Sequence, residues 1–165
     1  MGQQQLLLLV LGIVIVGLAV VIGVQTFEQS RKRADLDRYT AEAVRLATSA
    51  AAWREMPPAV GGGQGQTTFA RLGMAPLGFD TIVSTSPASE VAFGGADLYS
   101  IWNRNTSSTY VAVINNDYDR QAAVFIFGPS NECLVPRTGW YDDAAGAWVY
   151  VPAATPTRPA GCPWN

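Results

Sequence analysis

The chain has 165 residues, 48% of them hydrophobic and 15% charged, which allows one modest domain with an additional segment and excludes two large domains. The formal net charge is −2 and most basic residues are scattered singly, so we expect no nucleic-acid partner. Histidine is absent, which excludes Ser-His and Cys-His nucleophiles and histidine metal sites, and we expect no enzymatic activity, metal or cofactor.

The first predicted element is a membrane-spanning helix. Leu6 to Val24 is an unbroken run of Leu, Ile, Val, Ala and Gly without one polar side chain. At about 1.5 Å per residue a helix of this run covers roughly 28 Å, close to the hydrocarbon thickness of a bilayer. A core helix would show a polar stripe, and a cleaved secretory peptide would place positive charge before a shorter apolar region. The run therefore predicts a retained membrane anchor over residues 6–24.

The apolar pattern continues as one stripe of an amphipathic helix. Its members step by three and four residues: Leu36, Tyr39, Ala43, Leu46, Ala50 and Trp53. Pro57-Pro58 ends the helix, because proline lacks an amide donor and biases the preceding residue away from helical geometry. We predict one helix over residues 3–56, after a minimal leader at residues 1–2, with the stripe packed on the rest of the chain.

The remainder is predicted to be a linker and a β-rich head. Residues 57–66 are rich in Pro and Gly and favour a flexible connection, and residues 67–165 alternate short β-branched and aromatic runs with turn residues. The predicted fold class is therefore α+β, a long N-terminal α-helix on a C-terminal antiparallel β-sheet.

Within the head, a short helix is predicted at Thr67 to Leu72. Strands are predicted at residues 97–104, 109–114, 121–127 and 147–151. The turn-forming stretch Asn115 to Asp119 joins two of them into a predicted hairpin over 109–127.

The two cysteines, Cys133 and Cys162, flank a tail rich in Pro and Gly. This placement suits a disulfide in an exported domain, and the alternative is two separate buried thiols. We predict the disulfide, because the tail has little regular structure to hold it and the membrane segment already favours export.

In organisation the chain resembles the type IV pilin and pseudopilin superfamily along essentially its full length. The resemblance rests on the order of its parts: a minimal Met1-Gly2 leader, an apolar run after Gln3-Gln4-Gln5, an amphipathic continuation, and a β-rich head with a C-terminal cysteine pair. It implies that a prepilin peptidase cleaves after Gly2 and exposes Gln3.

The sequence departs from the family at one position. The glutamate that the family usually carries five residues into the mature chain is replaced by Leu7, counting from Gln3. This departure favours a divergent filament branch or a minor pseudopilin over a standard major pilin.

The resemblance implies a structural subunit that is anchored in the inner membrane before assembly and then forms an extracellular filament of identical copies with the help of assembly machinery. The expected filament-core residues are Leu6, Leu7, Leu11, Gly12, Ile15, Gly17, Val21 and Gly23. The three glycines either allow close helix approach or local loosening of the helix, or reflect the general frequency of glycine in membrane helices. The alternative function is a minor pseudopilin of a secretion system or a monomeric membrane-anchored surface binding module.

Two features give opposite orientations for the head. The basic residues Arg31, Lys32 and Arg33 follow the apolar run, which by the positive-inside rule places the head in the cytoplasm. The cysteine pair and the pilin-like layout place it outside. We expect the head outside, because the acidic residues Glu28, Asp35 and Asp37 dilute the basic cluster.

Weaker motifs occur in the head. Asn115, Asp117 and Asp119 alternate like the opening of a calcium loop, but Arg120 replaces the glycine, so a turn is favoured. Asn105 begins a possible N-glycosylation sequon.

Two further groups of residues invite a functional interpretation. Asp142-Asp143 resembles a catalytic carboxylate pair, although Gly139 to Gly146 is predicted to be a solvated loop. The aromatic residues of the head favour either a sugar- or partner-binding surface or a mixture of core and subunit contacts: Trp102, Trp140, Tyr141, Trp148, Tyr150 and Trp164.

Overall fold

A computed structural model describes residues 2–85, 89–95, 97–104, 109–115, 119–142 and 144–164. One long helix, α1 (Gly2–Glu55), is followed by a seven-stranded antiparallel sheet, which confirms the predicted α+β fold. The chain divides into two compact units, Met1–Asp35 and Leu36–Asn165. The second unit therefore begins inside α1 and not after the 57–66 segment.

The sheet is a meander in which each strand pairs antiparallel with the next along the chain. Its strands are β1 (Thr81–Thr85), β2 (Ser89–Gly94), β3 (Asp97–Trp102), β4 (Thr109–Asn115), β5 (Arg120–Ile126), β6 (Leu134–Asp142) and β7 (Ala147–Val151). The four predicted strands correspond to β3, β4, β5 and β7, and the predicted hairpin is the β4–β5 pair.

One face of the sheet packs on the second half of α1. Tyr39, Ala43, Leu46, Ala50 and Trp53 are buried in this core, and Leu36 is half-buried. The facing sheet residues are mainly small or β-branched: Ala92, Tyr99, Ile101, Val111, Val113, Ala122, Val124 and Ile126. Small residues on both surfaces reduce the distance at which a helix packs.

The helix predicted at Thr67 to Leu72 is wrong, since these residues form turns. The side chain of Arg54 donates hydrogen bonds to the carbonyl oxygens of Gln66 (3.3 Å) and Thr67 (3.0 Å). The second of these oxygens would have accepted an intrahelical bond in the predicted helix. Phe69 and Leu72 are instead fully buried in the core.

The solvated loop predicted at Gly139 to Gly146 is also wrong over its first half, because β6 extends to Asp142. Gly139 pairs with Tyr150 of β7, and a Cβ added at this glycine would overlap the Tyr150 ring. The glycine therefore lets an aromatic ring lie across the neighbouring strand, which is one of the recognised uses of glycine inside a sheet.

The glycine-rich segment after α1 packs against the end of the helix. The amide of Gly63 donates to the carbonyl oxygen of Trp53 (2.9 Å), and the Trp53 indole nitrogen donates to the carbonyl oxygen of Gly61 (2.9 Å). A Cβ at Gly62 or Gly63 would overlap Met56 or the Trp53 ring. The glycines are thus required for close approach, which differs from the flexible connection that composition favours.

A buried arginine joins the end of α1 to the C-terminal tail. The guanidinium carbon of Arg54 lies 4.2 Å from the centroid of the Trp164 ring and 5.0 Å from that of Phe69. Burial lowers the pKa of this guanidinium. The Trp164 amide also donates to the carbonyl oxygen of Phe127 (3.0 Å), the residue that directly follows β5. Trp164 therefore connects the tail both to Arg54 and to the end of a strand.

The predicted disulfide between Cys133 and Cys162 is present, with a Cα–Cα separation of 5.6 Å. Both cysteines are buried in a second apolar cluster with Phe125 and Phe127. Together with the Trp164 contact, the bond holds a tail that contains no helix or strand over its described residues after β7.

We expect intact-mass measurement of the unreduced chain, after alkylation under denaturing conditions, to show no alkylated cysteine. Replacing both cysteines with alanine should lower the free energy of unfolding by about 3.5 kcal/mol in the chain-entropy account of a loop of this length. Two alkylated cysteines in the absence of a reductant would contradict the structure.

Replacing Arg54 with Met should lower the free energy of unfolding by about 2 to 4 kcal/mol, because the change removes two charge-assisted hydrogen bonds and the contacts with two aromatic faces. The matched control is Arg45→Met at an exposed position of the same helix, for which we expect a change within about 0.5 kcal/mol. Urea unfolding of the full chain in detergent micelles, followed by near-ultraviolet circular dichroism, measures both. Equal effects of the two substitutions would show that the Arg54 contacts contribute nothing to stability.

Candidate membrane and assembly surface

The apolar first half of α1 is not buried by the rest of the chain. Every residue from Leu6 to Val24 is exposed except the half-buried Gly23. An 18-residue window of α1 has a mean hydropathy of 3.2, and none of it is buried. By length and composition this helix is able to cross a membrane, whereas the core helix of a soluble protein would be mostly covered.

The residues expected in a filament core lie on all sides of the helix. At about 100° per residue, Leu6, Leu11 and Gly12 already point in three widely separated directions. The other expected residues fill the circumference between them, so the apolar surface has no preferred face. A helix that is apolar all round is one that is surrounded by lipid or by other protein.

Among the described residues, nothing packs closely on the three glycines of this segment. Gly12, Gly17 and Gly23 all lie in the unbroken helix, and a Cβ added at any of them would meet no atom within 4 Å. The described residues therefore impose no steric requirement for glycine at these three positions.

Polar residues resume immediately after the apolar run. The Thr26 hydroxyl donates to the carbonyl oxygen of Ile22 (2.9 Å), an internal bond that suits a hydroxyl at the edge of an apolar region. The basic residues Arg31, Lys32 and Arg33 are all exposed, and the second compact unit begins at Leu36.

A polar network attaches α1 to β3 at the start of that unit. Arg38 lies 2.6 Å from the buried carboxylate of Asp97 and 3.2 Å from Glu42. The Tyr99 hydroxyl also donates to Glu42. The pKa of Tyr99 is raised mainly by burial and, to a smaller extent, by this hydrogen bond. The hydrogen bonds link two elements that the apolar core also holds together.

The weaker sequence motifs take structural roles where the structure describes them. The side-chain oxygen of Asn115 accepts hydrogen bonds from the amides of Asp119 and Arg120 (both 3.0 Å), as in a turn. Asp142 accepts hydrogen bonds from the amides of Ala144 (3.0 Å) and Ala145. Within the described ranges, no group of three or more Cys, Asp or Glu side chains is placed to hold a metal ion.

Three of the residues proposed from the sequence, Asp117, Asp143 and Asn105, lie outside the described residues. The calcium-loop, carboxylate-pair and glycosylation interpretations therefore stay predictions.

The aromatic residues singled out in the sequence are divided between core and surface. Trp164 is buried, Trp148 and Tyr150 are half-buried, and Trp102, Trp140 and Tyr141 are exposed. Trp102 and Tyr150 line a cleft of about 450 Å³ on the sheet face opposite α1. Sequence reasoning missed the other main residues of this cleft, Tyr110, Phe125 and Arg137. The alternation of β4 and β5 places Tyr110 and Phe125 on one face, but only the strand register brings Arg137 to them.

No family model, curated protein or solved structure matches this chain. The resemblance to type IV pilins therefore rests on the order of the parts of the chain alone.

Proposed function

We propose that this protein is a structural subunit of an extracellular, type IV pilus-like filament. In this proposal residues 6–24 anchor the subunit in the membrane before assembly and form the filament core afterwards, with the β-rich head on the outside. The observation that carries the proposal is an all-round apolar segment, exposed at every position except the half-buried Gly23, that belongs to the same helix as the buried stripe of the head.

An exposed segment that is apolar on all sides needs apolar surroundings. Removing one Leu, Ile or Val side chain from water stabilises a protein by about 1.5 to 3 kcal/mol. A segment with this many exposed apolar side chains therefore requires an apolar environment. Lipid supplies it before assembly. Because a helix leaves the bilayer only when another apolar environment replaces lipid, a bundle of identical helices is the natural second environment.

An outward head is supported by the disulfide, since such bonds persist in oxidising compartments. The basic residues Arg31 to Arg33 favour the opposite orientation, but Glu28 and Asp35 lie in the same stretch of α1. We include cleavage after Gly2 by a prepilin peptidase in the proposal, because Gly2 directly precedes the glutamines and the apolar run.

The second candidate function is a minor pseudopilin or a monomeric membrane-anchored binding module. Leu7 in place of the family's glutamate and the cleft on the head favour it. The abundance of the chain separates the two functions, because a major subunit should dominate the protein sheared from cells.

Replacing Gly17 with Arg should leave protein in the membrane but abolish filaments. A central arginine costs a single inserted helix about 2.5 to 3.5 kcal/mol, which the surrounding Leu and Val residues offset. In a filament core the charge would repeat in every subunit, and Leu6 to Val24 offers no acidic partner. A blot of the membrane fraction and electron microscopy of the sheared fraction measure the two outcomes.

Two control variants accompany this test. Gly17→Ala adds a methyl group that meets no atom of the described residues within 4 Å, and it should permit at least partial assembly. Gln25→Arg places the same charge just beyond the apolar run, where the side chain reaches the interface, and should leave anchoring intact. Normal filaments from Gly17→Arg would show that this helix is not the packed core and would favour the monomeric anchor.

A further inference from the structure

The cleft on the outer sheet face is built by the register of five strands, β3 to β7. Trp102, Tyr110 and Phe125 are neighbours in one row across β3, β4 and β5. The next row contains the small residues Ser100, Ala112 and Ala123 and ends at Arg137 of β6. The third row brings Gln121 to Gly139 and then to Tyr150 of β7. Small residues between two larger rows leave a cavity of about 450 Å³, within the size range of ligand sites.

The aromatic row supplies one wall with flat apolar faces. Tyr110 and Phe125 stack with ring centroids 4.8 Å apart, and the exposed Trp102 continues the row. The Trp102 indole nitrogen donates to the Ser100 hydroxyl (2.8 Å), which fixes the ring. Aromatic faces carry negative charge density and attract the partly positive C–H groups of a bound ring.

The opposite wall supplies polar groups that are already fixed in position. The Gln121 amide nitrogen donates to the Tyr150 hydroxyl (2.7 Å). The guanidinium of Arg137 lies 4.0 Å from the centroid of the Tyr150 ring, and its Nε and Nη2 donate to the carbonyl oxygens of Pro152 (3.0 Å) and Ala153 (2.6 Å). None of the described residues accepts a hydrogen bond from Nη1, so this nitrogen is available to a ligand.

The cleft is electropositive. Arg137 is charged, and none of the described residues that line the cleft is acidic. Burial has the largest effect on the Tyr110 hydroxyl and raises its pKa. The positive charge of Arg137 acts in the opposite direction and lowers the pKa of Tyr110.

We propose that this cleft binds an acidic sugar, whose carboxylate pairs with Arg137, whose ring packs on Trp102 and Tyr110, and whose hydroxyl groups bond to Gln121 and Tyr150. The carboxylate follows from the fixed guanidinium, which binds such groups strongly. The sugar ring follows from the combination of aromatic faces with an amide and phenol hydroxyls, because the hydroxyl groups of a sugar can use the remaining donors and acceptors of Gln121 and Tyr150, whereas a flat aromatic acid has no hydroxyl groups to offer them. This proposal concerns the head alone and does not depend on filament assembly.

The test is calorimetric titration of the full chain in detergent micelles. The probes are galacturonate, glucuronate and N-acetylneuraminate, with galactose and glucose as the neutral counterparts of the two uronates and acetate as a carboxylate without a ring. We expect at least one acidic sugar to bind at least about tenfold more tightly than the neutral sugars and acetate, because only an acidic sugar offers both a carboxylate to Arg137 and a ring to the aromatic wall.

Gln121→Glu is the decisive variant, since it keeps the size of the side chain but places a carboxylate in the electropositive cleft. It should weaken binding by at least about tenfold. Arg45→Gln, an arginine substitution at an exposed position on α1, should leave binding unchanged. Arg137→Gln should abolish binding, but it also frees the carbonyl oxygens of Pro152 and Ala153, so the conclusion rests on Gln121→Glu with an unchanged unfolding midpoint.

Three results would overturn the proposal. Acidic sugars that bind no more tightly than galactose and glucose would remove the role of Arg137. Acetate that binds as tightly as the sugars would remove the role of the aromatic wall. A folded Gln121→Glu variant with unchanged affinity would show that the sugars bind elsewhere.

Discussion

The apolar surface of residues 6–24 is the constraint on which the rest of the account depends. It covers the whole circumference of the helix, and no part of the described chain buries it. The head does not supply this missing cover, because burial of the α1 stripe begins only at Leu36. The segment therefore requires an apolar cover, either lipid or other protein.

The head is stabilised by several contacts of different kinds. The alanines of α1 pack closely on the sheet, and Arg54 at the end of the helix contacts both the following loop and Trp164 of the tail. The disulfide then attaches the tail to the beginning of β6. Helix, loop, sheet and tail are thus linked by contacts that differ in kind, so the head does not depend on one interaction alone.

The sequence predicted the elements that carry a strong periodic signal. The uniform apolar run, the stripe from Leu36 to Trp53 and the β4–β5 hairpin are of this kind. β1 was not predicted from the sequence. All its residues are exposed, so it lacks the alternation of apolar and polar residues that marks a half-buried strand. β6 contains Pro136 and Gly139, two residue types that argue against a strand. Pro136 is tolerated because β7 pairs with β6 only from Thr138 onward, so no strand on that side requires an amide donor from Pro136.

The two sites differ in how far the sequence could predict them. The exposed apolar surface is one contiguous run, and its composition was enough to predict a helix that is able to span a membrane. The cleft is assembled from strands β3 to β7, and the position of Arg137 beside Tyr150 depends on register. Likewise, the close approach of Gly63 to Trp53 is a tertiary contact that the glycine-rich composition cannot distinguish from a flexible linker.

The most direct test of the central claim identifies what surrounds the apolar segment after assembly. A photo-reactive phenylalanine analogue at Leu11, an exposed position within the run, is activated in the sheared extracellular fraction and in membranes. The account predicts that the sheared fraction yields cross-linked species of two or more copies, joined through residues 6–24 of both chains, and that the membrane fraction yields lipid adducts. A sheared fraction in which Leu11 cross-links only to lipid, or not to a second copy, would contradict the account.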